Sequence, residues 1–350
     1  LNFVLAICAL GLLIALHEFG HLVVARLVHM RVERYSIGFG PVLAKFRRGE
    51  TEYCLSAIPI GGYVKIAGMN PGDTEATDDP HTFNHRPAWQ RVLVIAAGPL
   101  TNEILAVLLV YVVAIAGMPY TREPVVGEVL PGSAAAAAGL IPGDRVEQID
   151  GQALGSFVDL VGAIHSHPGE VVALDVVRNG ETRRMTAKLG TPAVLGVAAP
   201  IRRYTPLDAV PAAIAWTGHQ TVNTLSGVFE AALHPRSGQI EGPIGTVQVT
   251  VQEAERGWQS LLFTLSLISL ALAIFNALPW PALDGGRLLF LFYELIFRRP
   301  VNQKVETAIH ATGFLMLLGL IALVTVGDVR RLRSPPKAAP EDVTAVDGGR

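Results

Sequence analysis

The sequence predicts a multi-pass α-helical membrane protein: four transmembrane helices, a β-hairpin loop after the first, and a soluble-textured α+β segment between the second and third. Three observations predict it. Apolar residues make up 50% of the 350-residue chain, and its mean hydropathy is +0.40. Charged residues supply only 17%, against about 25% in ordinary soluble domains. Four stretches approach the roughly 20 apolar residues that a helix needs to cross a hydrocarbon core. This apolar content excludes disorder for the bulk of the chain. A net charge of −2 without a clustered basic face excludes a nucleic-acid partner, so the expected surrounding is the lipid bilayer. Cys8 and Cys54 are too few for a disulfide framework.

The first stretch, residues 3 to about 28, is interrupted by His17, Glu18 and His21 at helical spacing. It lacks a basic n-region and a small-residue cleavage site, so it is expected to be a retained span rather than a signal peptide. Residues 31–91 hold eight Lys and Arg, and turn signals at Gly38, Gly40-Pro41, Gly61-Gly62 and Gly68 predict a set of hairpins over 31–68. The polar run 70–87 predicts a loop. The second span, 92–118, carries Asn102 and Glu103 inside it. Residues 124–190 have soluble texture: strands over 125–130 and 171–177, a helix over 156–165 and a turn at Asn179-Gly180. Residues 206–234 are mildly amphipathic and are expected to lie along the membrane surface. Spans over 261–283 and 308–326 follow, then a proline-rich tail from Ser334 expected to be disordered. The division that results is a membrane core (1–118), a soluble domain (122–200), an amphipathic linker outside the membrane (201–260), a second membrane core (261–333) and the tail (334–350).

Lys and Arg collect in short cytoplasmic loops. The 31–91 loop holds eight, and the loop between spans three and four holds Arg287, Arg298, Arg299 and Lys304. Both are therefore expected to be cytoplasmic, with 124–255 outside. Arg330, Arg331, Arg333 and Lys337 lie against this topology, but the first loop outweighs them.

His17-Glu18-Phe19-Gly20-His21 is an HExxH pattern. On a helix, two His four residues apart share a face, so both imidazoles reach one zinc ion at about 2.0–2.1 Å. Glu18 is rotated off that face, placed to take a proton from a water that the ion activates. An ionisable residue inside a membrane helix costs about 2.5–3.5 kcal/mol or more, so three together need a compensating partner, and a metal supplies it. A hydrolytic zinc takes three protein ligands. The best third candidate is Asp284, in Asn276-Ala-Leu-Pro-Trp-Pro-Ala-Leu-Asp284-Gly285-Gly286, where Pro279 and Pro281 break the helix and the glycines permit a tight turn. The competing reading is that Asp284 caps a helix starting at Arg287. His29, His81, His85 and His310 are weaker competitors.

HEFGH in the first span with NALPWPALDGG late in the chain resembles the site-2 protease family of intramembrane zinc metalloproteases, and within it the bacterial RseP-like, regulator-of-sigma-E type. Further matching stretches are Arg31-Val-Glu-Arg-Tyr-Ser-Ile-Gly-Phe-Gly-Pro41, Ile58-Pro-Ile-Gly-Gly-Tyr-Val-Lys-Ile66, Gly98-Pro-Leu-Thr-Asn102 and Gly242-Pro-Ile244. The resemblance implies one Zn²⁺ per chain held by His17, His21 and Asp284, with Glu18 as catalytic base. It implies that 31–66 forms a membrane-associated β-hairpin sheet which holds extended substrate, Gly61, Gly62 and Tyr63 included, and that Asn102 and Asn276 handle the unwound strand. The implied substrates are single-span membrane proteins already trimmed by a first protease, such as anti-sigma factors or signal-peptide remnants. The implied location is the bacterial cytoplasmic (inner) membrane. Glu103 departs from the family pattern, which has an apolar residue there.

Residues 124–198 resemble one circularly permuted PDZ domain, on Val126-Gly-Glu-Val-Leu-Pro-Gly-Ser-Ala, Ala138-Gly-Leu-Ile-Pro-Gly-Asp144, Val146-Glu-Gln-Ile-Asp-Gly151 and Leu195-Gly196-Val197. The resemblance implies an extracytoplasmic domain whose last tripeptide offers N–H groups to a peptide. Two other classes are weighed against a protease. A catalytically silent membrane adaptor binding peptides through this domain would fit a broken HExxH, and the motif is intact. A zinc transporter predicts His and carboxylates along several spans, and fits poorly.

Overall fold

The computed structural model describes residues 2–69, 79–233 and 242–333. The expected tail 334–350 and part of the expected loop 70–87 lie outside the described residues. The chain divides into two compact units, Leu1–Val110 with Ala213–Arg350, and Tyr111–Ala212.

Among the described residues four helices are long and apolar enough to cross a membrane: α1 (Asn2–Leu27), α2 (Ala88–Ala116), α7 (Trp258–Ala277) and α9 (Gln303–Arg333). Two expected ends are corrected. The second span stops at Ala116 rather than 118, because Met118–Pro119 (β3) leaves the helix to pair with Ile201–Arg202 (β10) in the second unit. The third stops at Ala277 rather than 283. Leu278 is extended (φ −62, ψ 144), as a residue before proline is forced to be.

The expected hairpins are one long pair, β1 (Val32–Arg48) and β2 (Thr51–Ile66), folded back on itself. β1 bends at Gly38 and Gly40 and β2 at Gly61, all at positive φ. The register then gives four segments in the order 42–48, 51–56, 32–37, 62–66: Arg48 pairs with Thr51 and Val42 with Ser56, Tyr35 pairs with both Tyr53 and Val64, and Ile37 with both Leu55 and Gly62. The last segment lies against α1. A Cβ on Gly11 of α1 would stand 1.9 Å from Pro59 O, so glycine is what lets the sheet approach the helix backbone. Tyr35 Oη donates to Ala15 O at 2.7 Å.

Helix α5 (Pro206–Leu233) differs from the surface helix expected over 206–234. Its Thr221 Oγ1 donates to Glu103 Oε1 of α2 at 3.0 Å, and its Trp216 ring lies 4.9 Å from Phe263 of α7. One face therefore packs on the helices while Val222, Leu225 and Phe229 stay exposed. Helix α6 (Pro243–Arg256) follows, its first turn capped by Asp328 of α9, which accepts from the N–H groups of Gly242 and Gly245 at 3.2 and 3.0 Å.

The second unit has its own core of Val126, Leu140, Val146, Phe157, Leu160 and Leu174. Its four-stranded sheet runs β6 (Gln152–Ala153), β5 (Arg145–Ile149), β7 (Val171–Arg178), β8 (Glu181–Lys188). β7 and β8 turn at Asn179-Gly180 as expected, both residues at positive φ. A short pair joins β4 (Glu128–Val129) to β9 (Val197–Ala198). Helix α4 (Phe157–His165) is capped by Ser156, whose Oγ accepts from Asp159 N–H at 3.1 Å, and a one-turn helix α3 (Ala134–Ala137) is capped by Ser133. Buried Asp144 takes Arg178 on both oxygens at 2.7 Å and the Ile141 N–H at 2.9 Å, tying the loop before β5 to the end of β7.

Candidate metal centre

Helix α1 carries His17 and His21 on one face, both buried. Helix α8 (Asp284–Phe297) brings Asp284 to them from 267 positions away, and no other group of three metal-binding side chains converges among the described residues. Asp284 Oδ2 lies 3.0 Å from His17 Nε2 and 3.3 Å from His21 Nε2, and the two Nε2 atoms are 3.3 Å apart. Ligands at about 2.0–2.1 Å in a tetrahedral shell stand about 3.3 Å from one another, so the triangle has the edge length of three zinc ligands. The chemistry of the donors agrees. His21 Nδ1 donates to Val94 O of α2 at 2.7 Å, which puts the proton on that nitrogen and turns the Nε2 lone pair inward. A lone pair and a carboxylate oxygen facing each other at this distance repel unless a proton or a metal ion lies between them.

Asp284 does not cap a helix that starts at Arg287. It is the first residue of α8 itself, and Leu283 precedes it without a side-chain cap. Here the helix N-terminus favours its negative charge. The role expected for Gly285 and Gly286 is also corrected: they lie inside the first turn of α8, and the strained residue is Ala282 (φ 76). A Cβ on Gly285 would stand 2.0 Å from Leu278 O, and one on Gly286 2.3 Å from Trp280 O, so both glycines serve close approach. His310, weighed above as a ligand, holds this turn instead, its Nδ1 accepting from Ala282 N–H at 2.9 Å.

Glu18 is half-buried beside the triangle. Its Oε2 accepts from Val64 N–H, in the outer segment of β2, at 3.1 Å. The sheet thus fixes the one carboxylate at the site that is not in the triangle. Gly61 and Gly62 come just before it, between β1 and α1: a Cβ on Gly61 would meet Phe39 at 2.7 Å and Ile14 at 3.6 Å, and one on Gly62 would meet Ser36 O at 2.6 Å and Ala15 at 3.5 Å. Tyr63 stacks on Phe39 and accepts from Arg34 at 3.4 Å.

Helix α2 closes the site from the other side, and glycine makes this possible. A Cβ on Gly98 would stand 2.2 Å from His21 Nε2 and 2.7 Å from His17 Nε2. One turn on, Asn102 is fully buried with neither side-chain atom hydrogen-bonded, while its carbonyl accepts from Ser269 Oγ of α7 at 2.8 Å. Asn276 donates one Nδ2 hydrogen to Leu272 O of its own helix at 3.0 Å, which leaves its second N–H and its Oδ1. In the second unit, Leu195 O accepts from Ala135 N–H and Gly196 O from Leu130 N–H, and Val197 pairs with Val129.

Sequence reasoning missed Gly98, Val94 and Val64 as parts of the centre. Only Gly98 left a signal. A glycine inside an apolar helix costs about 1 kcal/mol against alanine, so its presence there points to a packing or functional reason.

The chain is similar to the regulator of sigma-W protease RasP of Bacillus subtilis, at 29% identity over 411 residues that cover 92% of this chain and 96% of that one. It is also similar to the zinc metalloprotease RasP of Bacillus licheniformis, at 29% identity over 420 residues covering 95% of this chain and 100% of that one. A solved PDZ domain of an SdrC-like protein from Listeria innocua is 28% identical, with a TM-score of 0.20, over 21% of this chain and 90% of that one. The family model described as peptidase family M50 matches residues 5–320, nearly the whole chain, and the chain therefore belongs to peptidase family M50, the site-2 protease family of zinc metalloproteases.

Proposed function

We propose that this zinc metalloprotease cleaves single-span membrane proteins within or near their membrane segment, after a first protease has trimmed them, as in regulated intramembrane proteolysis of anti-sigma factors or of signal-peptide remnants. The observation that carries the proposal is the ligand-sized triangle of His17, His21 and Asp284 inside an apolar helix bundle, with Glu18 held beside it by a sheet edge. His17, His21 and Asp284 would hold the zinc ion, which would supply a Lewis acid for the scissile carbonyl and a water of pKa about 7. Glu18 takes the proton of the attacking water and returns it to the leaving amine.

A peptide bond in a membrane helix must first be unwound, and its freed backbone groups must find partners, because hydrocarbon offers none. Among the described residues 62–66 pairs only with 32–37, and an extended substrate strand would pair along its other edge, beside the Val64 N–H held by Glu18. The two unpaired ends of Asn102 suit one freed amide and one freed carbonyl, and Asn276 adds an acceptor. Gly61, Gly62 and Tyr63 precede the residue that fixes Glu18, so a strand paired there runs past the base.

Residues 122–200 are proposed as an extracytoplasmic PDZ domain of a bacterial inner-membrane protein, offering Leu195, Gly196 and Val197 to a peptide end and screening substrates by their outer part. A silent adaptor would not need an intact Glu18 beside three converging ligands. Purified protein incubated with single-span candidates, with and without Glu18→Gln, tests the proposal. The variant keeps its zinc and loses cleavage; turnover above roughly a hundredth of wild type, against the ~10²–10⁴-fold usual for a general base, overturns the assignment.

A further inference from the structure

The sheet runs along α1 in a register that measures depth. Pro59 meets Gly11, Val64 meets Glu18, and Thr51 meets Arg26 in the last turn of the helix. From Gly11 to Arg26 the helix rises about 22 Å, so one end of the sheet lies deep along the candidate span and the turn 48–51 lies at its end. The polarity of the exposed residues follows the same gradient. Phe39, Val42, Leu43, Ile58 and Ile60 are exposed at the deep end. Lys45, Arg47 and Arg48 are exposed toward the turn, along the same segment that begins Val42-Leu43.

Contacts at the turn belong to a membrane–water interface. Arg26 donates to Thr51 Oγ1 at 2.9 Å and lies over the Tyr53 ring at 5.6 Å; Tyr53 in turn stacks on exposed Phe46. Aromatic rings and cationic ends gather at this level. Glu52 is occupied by Arg34 and Lys45, at 2.6 and 2.9 Å. Arg47 and Arg48 have no carboxylate within ion-pair distance among the described residues, and exposed Glu50 is the remaining acid of the turn.

We propose that Arg47 and Arg48, with Arg26 behind them, form a binding surface for the headgroups of anionic phospholipids, anchoring the sheet turn to the leaflet reached by the end of α1. The ligand is the lipid phosphodiester in the plane of the bilayer. Its anionic charge meets two unpaired guanidiniums while Leu43 and Phe46 sit among the acyl chains. The surface is separate from the zinc centre, and its existence does not depend on which substrate is cut.

The test uses the full chain in nanodiscs of phosphatidylcholine alone or with phosphatidylglycerol, and a glutamyl endopeptidase that cuts at exposed Glu50. Each cation held at an anionic surface contributes roughly a factor of five, so two give about a 25-fold slower cut in the anionic discs. High salt removes the difference. Arg47→Gln/Arg48→Gln, two exposed changes, keeps its zinc and is cut at equal rates in both discs. Equal cutting of the wild type in both lipids overturns the proposal, as does a slowing that the double variant retains in full.

Discussion

Replacing Gly98 with alanine puts a methyl group where the zinc ligands converge. The added carbon starts 2.2 Å from His21 Nε2 and 2.7 Å from His17 Nε2, against an ordinary contact of at least 3.4 Å. About 1.2 Å must therefore be found, and zinc–ligand distances tolerate only about 0.2 Å. α2 cannot retreat freely, because it is also tied to α7, where Ser269 Oγ donates to Asn102 O at 2.8 Å and Leu270 and Ile274 pack on Ala106. His21 must turn instead, giving up both its metal direction and its bond to Val94 O. Losing an outer partner of a zinc ligand alone costs 10–100-fold in affinity, so Gly98→Ala should lower zinc affinity by at least about 100-fold. Alanine is the better helix former by about 1 kcal/mol, which keeps α2 from melting as the cause. Metal content after gel filtration and a competing chelator titration measure the effect. One zinc per chain at wild-type affinity in Gly98→Ala would refute the close-approach argument.

His17→Ala and Asp284→Asn should both empty the centre on metal analysis, and Asp284→Asn with normal zinc and cleavage would return Asp284 to a structural role. Val64→Pro removes the N–H that Glu18 accepts, so it should cut turnover at least tenfold while zinc content stays at wild type. Glu103→Leu removes the Thr221 bond; such interhelical bonds average about 0.6 kcal/mol, so amides near Thr221 should exchange roughly threefold faster with zinc unchanged. In the second unit, burial opposes the charge of Asp144, but Arg178 and the Ile141 N–H outweigh it and hold its pKa below the ordinary carboxylate value. That contribution is complete above about pH 4 and is lost as pH falls through the lowered value. Arg178→Met leaves buried Asp144 without its guanidinium partner and should lower exchange protection in β5 and β7.

What could be read in advance was what side-chain chemistry writes into local sequence. HExxH names two ligands and a base by spacing, and a carboxylate between two prolines and two glycines announces an unusual turn. The helices were legible because apolar length is a one-dimensional signal, and the second unit because Asn179-Gly180 and Ser156 mark their turn and cap locally. The fold-back of β1 and β2 was legible only in part, since the turn signals at Gly38, Gly40-Pro41 and Gly61-Gly62 mark the bends but do not say which segments become neighbours. The fit of Gly98 depends on an absent side chain, and the parts of Val64 and Val94 on backbone atoms common to every residue. The packing of α5 on α2 hid behind an amphipathic pattern that serves a helix face as well as a membrane surface.

The 267-residue separation of His17 from Asp284 also sets an order of events on the ribosome. The sheet follows α1 directly in the chain, so Glu18 can find Val64 soon after both are made. Asp284 emerges 220 residues after Val64, roughly 10–40 s later at ordinary rates of synthesis. Through that interval the nascent chain has two histidines and a base in the bilayer but no third ligand. Its ability to cut neighbouring membrane proteins, or its own emerging helices, is withheld until the last part of the chain arrives.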